Sequence, residues 1–202
     1  QPEILRASFL TVEDGCRHWS EAHFEGNKNT PSDYRVVTGY APFILDQPSI
    51  WSCLYYREWL IARKIDFPKL PRFDDLPFHL HASLLCRRAV VANLPVYLYR
   101  LGRPGQDVEI NDSRLFTNLD SFLHLEKLDE FAGPRGQKVI LASKVATFWW
   151  TLRKLKPRHR PEFSALAISS IFRSLVTVGA WEVALTGIRS FVQLLRRKRR
   201  RG

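Results

Sequence analysis

The chain has 202 residues, 45% of them apolar and 25% charged, which suits one well-packed core with an appendage and argues against a disordered chain. Its net charge of +11 is confined to one region. Residues 1–150 hold 18 Lys/Arg and 18 Asp/Glu, whereas residues 151–202 hold 13 Lys/Arg against Glu162 and Glu182 alone, the whole of the +11.

Glu3 to Val12 reads as a strand closed by a turn at Glu13-Asp14-Gly15. Cys16 to Ser32 is polar, a loop or hairpin end, and Tyr34 to Phe43 holds either a short strand or a helical turn. Gln47 to Tyr55 begins extended and Pro-anchored, then turns helical through Arg57 to Arg63. A Pro-containing run from Phe67 to Phe73 leads to two adjacent acids, Asp74 and Asp75, and a helix expected to about Cys86. Arg88 to Asn93 and Pro95 to Arg100 read as two strands with a short break, followed by the loop Gly102-Arg103-Pro104-Gly105-Gln106. From the N-cap candidate Asp112 onward the pattern is helical. One helix is expected to about Phe131, stopped by Gly133-Pro134, with others over Gln137–Leu155, Glu162–Val178 and Ala180–Arg196. The fold class is therefore α/β to about residue 110 and all-α after it.

A carboxylate at a helix mouth is favoured by the unpaired N–H groups there, so a cap accounts for one acid of the pair. An enzyme that activates a hydroxyl needs a carboxylate at an uncovered position, which a loop feeding a helix also supplies. The six histidines have no metal-ligand spacing, and His79 and His81 diverge on their helix. Cys16, Cys53 and Cys86 are far apart and odd in number, the pattern of reduced, buried thiols in a cytoplasmic protein. No phosphate-binding or dinucleotide loop occurs, and Ser49 and Ser52 lack triad partners.

Gln47-Pro48-Ser49-Ile50-Trp51-Ser52-Cys53-Leu54-Tyr55-Tyr56-Arg57-Glu58-Trp59-Leu60, Ile65-Asp66-Phe67, Phe73-Asp74-Asp75-Leu76-Pro77-Phe78-His79, Pro95 to Arg100 and Arg103 to Gln106 together resemble the C-terminal half of the family 2 glycosyltransferases, GT-A-fold enzymes of bacterial surface-polysaccharide synthesis. The resemblance covers residues 3 to 110, and it rests on the order of four motifs. It implies a partial GT-A, Rossmann-like domain over residues 1–110; the residue pattern itself gives a helical region over 111–195 and a polybasic tail over 196–202. It also implies inverting transfer from a nucleotide-diphosphate sugar to a polysaccharide or lipid-linked acceptor. Asp75 would be the base. Ser49 and Trp51 would line the donor and acceptor cleft, with Asp74 beside them. Arg100, Arg103 and Gln106 would close over the leaving diphosphate.

The family's nucleotide-binding half and its DxD motif, which holds Mg or Mn, do not occur here. With Met absent and Gln1 at the start, the chain is expected to be part of a longer enzyme and inactive alone. The alternative is a non-catalytic, transferase-like binding module. The tail's apolar run is broken by Arg173, Glu182 and Arg189, which suits amphipathic helices rather than a spanning one. Its end, Arg196-Arg197-Lys198-Arg199-Arg200-Arg201, is of the kind that binds anionic lipid, and would place the protein in the cytoplasm on the inner membrane face. The neutral first 150 residues and the lack of interleaved aromatics speak against nucleic acid.

Overall fold

The computed structural model describes residues 1–13, 16–20, 34–38, 49–102, 106 and 109–177. The chain divides into two compact units, one of residues 1–67 with 78–109 and one of residues 68–77 with those from 110 onward. The first is a mixed α/β unit and the second is helical.

The first unit is built on a five-stranded mixed sheet of β1 (Ile4–Glu13), β2 (Cys16–Ser20), β3 (Tyr34–Thr38), β4 (Cys53–Tyr55) and β5 (Arg88–Arg100). The order is β2-β1-β5-β3, and β4 also pairs with β1. β1 and β5 run parallel, and every other pairing is antiparallel. β1 is central and buries Ile4, Ala7 and Phe9, as a strand with neighbours on both sides must. The segment 34–38, undecided from sequence, is a strand.

Residues 88–100 form one strand where two were expected. The break shows instead as an irregular register: Arg6 lies opposite Val91, Ser8 opposite Pro95 and Phe9 opposite Tyr97. Proline has no N–H to give to a ladder, so the pairing shifts there without ending.

α1 (Arg57–Ala62) and α2 (Asp75–Leu85) supply the layer over the sheet. Phe78, Ala82 and Cys86, four residues apart, make one stripe along α2 and the residue after it. They pack with Ile4, Trp59, Ile65, Ala89 and Val91. At the head of the sheet the Glu3 carboxylate accepts from the Arg87 and Arg88 N–H groups, at 2.6 and 2.8 Å.

The helical unit contains α3 (Thr117–Leu125), α4 (Pro134–Lys154) and α5 (Arg160–Thr177). Asp112 caps the turn before α3, accepting from the Arg114 N–H at 3.1 Å. The helix expected to reach Phe131 ends at Leu125 and is followed by a 3-10 turn at Asp129–Phe131. Gly133-Pro134 is not a stop. Gly133 is the N-cap of α4 and Pro134 its first residue, where a missing N–H costs nothing. Phe122, Phe131, Ile140, Phe148 and Phe163 fill the core, with Phe148 edge-on to both Phe122 and Phe163. No helix among the described residues is long and apolar enough to cross a membrane.

Gly136 fixes the entry to α4. A Cβ there would lie 2.4 Å from the Phe131 Cα and 2.7 Å from the Glu130 carbonyl, both backbone. Alanine ordinarily favours a helix interior over glycine by roughly 0.5–1 kcal/mol. Here the clash decides the sign, and Gly136→Ala is expected to destabilise by about 1–3 kcal/mol, read as a lowered melting temperature.

Candidate functional site

In the sheet unit the site begins with the 3-10 turn Ile50–Ser52. The Ser49 carbonyl accepts from the Ser52 N–H at 3.0 Å and the Ser52 hydroxyl at 2.8 Å, which pins the turn and sends Trp51 across the sheet. Ser49 itself is buried, and its hydroxyl finds no partner among the described residues. The Trp51 ring stacks on Tyr99 (5.0 Å, 10° between planes), tilts against Tyr97 at 4.7 Å and meets Phe9 edge-on at 4.4 Å. Tyr97 and Tyr99 are two apart on β5 and so share a face, and Phe9 is the β1 partner of Tyr97. Trp51 is half-buried and Tyr97 is 45% exposed, so part of this aromatic surface meets solvent.

A cleft of about 410 Å³ adjoins Trp51, lined by Tyr55, Phe67 and Phe78 with the Asp66 carboxylate at its edge. It is a shallow depression open to solvent rather than an enclosed cavity. Phe67 and Phe78 stack at 4.0 Å, and Tyr55 meets Phe78 edge-on. One Asp66 oxygen accepts from the Phe67 N–H at 2.8 Å. Burial pushes the Tyr55 hydroxyl well above its usual range, so it stays protonated. Burial also raises Cys53, against the opposing field of Arg6. Burial together with the nearby Glu3 carboxylate pushes Cys86 up to about 12. Neither thiol is a nucleophile at neutral pH.

Gln106 donates from Nε2 to the Arg100 carbonyl at 2.6 Å, tying the end of the loop to the end of β5. Arg100 is exposed. Arg103 lies outside the described residues, as does the cluster Arg196 to Arg201.

Asp74 and Asp75 belong to the helical unit, and both are half-buried. The residue before them, Phe73, has φ +56°, a left-handed conformation that is unusual for an aromatic side chain. Its carbonyl accepts from the Ser121 hydroxyl at 3.2 Å and from the Leu76 N–H at 3.4 Å. Such backbone persists only where its surroundings over-determine it, and it turns the chain sharply into the two acids. Asp75 is the first residue of α2. Ser121→Ala is expected to cost about 1 kcal/mol, seen in a urea unfolding curve, by removing one of the contacts that hold this turn.

Of the residues expected from sequence, the structure ties Gln106 to Arg100, while Asp74 and Asp75 are chain neighbours in the helical unit. Trp51's partners, Tyr97 and Tyr99, lie in the Pro95 to Arg100 motif, where the aromatic alternation Tyr97-Leu98-Tyr99 is the visible signal. Among the described residues no three His, Cys, Asp or Glu side chains converge as a metal set. The divalent ion expected from the resemblance has no ligand set among the described residues.

Comparison with protein-family models, curated proteins and solved structures finds no match. The functional reading therefore stands on the residues themselves.

Proposed function

We propose that the chain is the acceptor-side part of an inverting glycosyltransferase that uses a nucleotide-diphosphate sugar. The observation that carries the reading is the aromatic surface of Trp51, Tyr97 and Tyr99 beside the cleft. Aromatic faces pack against the C–H faces of sugar rings, and a carboxylate such as Asp66 accepts from ring hydroxyls. Asp75, at the start of α2 behind the constrained Phe73, supplies the base. Its carboxylate takes the proton of the acceptor hydroxyl, the oxygen attacks the anomeric carbon, and the nucleoside diphosphate leaves from the opposite face, inverting the centre. Arg100 is the described guanidinium offered to the departing phosphates. The acceptor is a polysaccharide or a lipid-linked glycan.

The test is transfer of radiolabelled sugar by the gene-encoded protein from a set of nucleotide-diphosphate sugars to such acceptors. One donor is expected to yield product of inverted configuration. Trp51→Ala is expected to raise KM roughly 2- to 10-fold, the worth of one aromatic contact. No product with any donor, or retention at the anomeric carbon, would overturn the reading.

A further inference from the structure

The end of α4 and the turn that joins it to α5 bring cations and indoles close together in the chain. From Trp149 to Arg160 the chain carries Arg153, Lys154, Lys156, Arg158 and Arg160 and no acid. Phe148, Thr151 and Leu155 point into the helical core. That burial turns Trp149 and Trp150 outward, 42% and 41% exposed, with Arg153 on the same side of the helix. The Lys154 ammonium lies 4.8 Å above the Trp150 ring. Past the helix end the backbone is fixed. Lys156 N–H donates to the Asn111 carbonyl at 2.8 Å, and Arg160 Nε donates to the Leu155 carbonyl at 2.9 Å. Arg158 Nε donates to His159 Nε2 at 3.1 Å. The next acid along the chain is Glu162, in the first turn of α5, and Asp112, whose carboxylate feels the His159 charge, is held in a 2.8 Å ion pair with Arg114.

We propose that this α4–α5 surface docks on an anionic lipid bilayer. Indoles settle at the depth of the headgroups, and Lys and Arg on flexible stems reach the lipid phosphates around them. Five cations without an acid between them match the negative surface of such a bilayer. The contact lies on the surface, since neither helix is long and apolar enough to cross. Base stacking by a single-stranded nucleic acid would compete with Lys154, which stands over the Trp150 ring. The surface shares no residue with those assigned to transfer or with the Arg196–Arg201 cluster.

The test is co-sedimentation of the gene-encoded protein with phosphatidylcholine vesicles, with and without phosphatidylglycerol. Binding is expected only with phosphatidylglycerol. The triple variant Arg153→Gln, Lys156→Gln, Arg158→Gln is expected to lower the partition coefficient about 100-fold, roughly fivefold per cation. Trp149→Ser with Trp150→Ser is expected to lower it further and to remove the blue shift of tryptophan emission on binding. Both variants are compared with wild type in thermal melts and in transfer to a water-soluble acceptor, so that loss of fold or of transfer is distinguished from loss of docking. Unchanged partition of the folded triple variant overturns the proposal. So does binding to neutral vesicles alone, or a single-stranded oligonucleotide held in preference to vesicles through the same residues.

Discussion

Asp75→Asn is expected to reduce sugar transfer by roughly 10²- to 10⁴-fold, the usual worth of a positioned general base, while the melting temperature changes little. The amide is close in size to the carboxylate and is well tolerated at a helix start, so α2 and its buried stripe of Phe78, Ala82 and Cys86 persist. What is lost is the ability to take a proton from the acceptor hydroxyl. Asp74→Asn, one residue earlier, is expected to have a smaller effect because that carboxylate has no proton to move in the proposed step. Initial rates at saturating donor, set beside a thermal melt of each variant, make the comparison. Wild-type turnover in Asp75→Asn would remove the residue from the mechanism, and equal losses in both variants would point to a shared structural role.

Glu126→Gln is expected to destabilise the helical unit by about 3 kcal/mol, the lower end of what breaking a buried ion pair costs. The Lys144 side chain is wholly buried in α4, and its ammonium is held by the Glu126 carboxylate, the Ser170 carbonyl at 3.0 Å and the Ser174 hydroxyl at 2.8 Å. Glu126 keeps about a quarter of its side chain at the surface, so the two partners are not equivalent. Neutralising Glu126 leaves a cation in the core. Replacing Lys144 by Met leaves a carboxylate that still reaches water and the Ser174 hydroxyl. Lys144→Met should therefore cost clearly less than Glu126→Gln in urea unfolding at neutral pH, and the reverse order would refute the account.

Burial lowers the Lys144 pKa, with Glu126 partly opposing the shift. Between the folded value and the ordinary lysine value near 10.5 the unfolded chain binds more protons than the folded one. Stability relative to Lys144→Met is then expected to rise as pH is raised through that window, and to sit at its lowest below it.

Helix α2 was legible because its signals are local: an acid at the mouth, an apolar stripe behind it, and an end near Cys86 against the observed Leu85. Gly133-Pro134 misled because the same two residues punctuate either end of a helix, and only the packing of Gly136 against Phe131 fixes which. At Pro95 the local signal was real but its consequence was not local, since a ladder already anchored at Ala89 to Val91 carries the strand past the interruption. Trp51's position over Tyr97 and Tyr99 depends on strands nearly fifty residues away in the chain, and period-two alternation says nothing about which strands are neighbours. Lys144 was readable in principle. It falls on the row Ile140, Phe148, Thr151 and Leu155, the buried face of α4, where a lysine demands a partner.

The clasp of Glu3 on Arg87 and Arg88 spans 84 and 85 residues, and it sets a timetable for synthesis. At about 5–20 residues per second, β1 leaves the ribosome roughly 4 to 17 s before its parallel partner is made. The hairpin with β2 engages Phe9 to Glu13 almost at once. Ile4 to Arg6 have no partner until β4 emerges, and β5 comes later still. The first few residues of the central strand thus stay without any strand partner long after Phe9 to Glu13 have gained one.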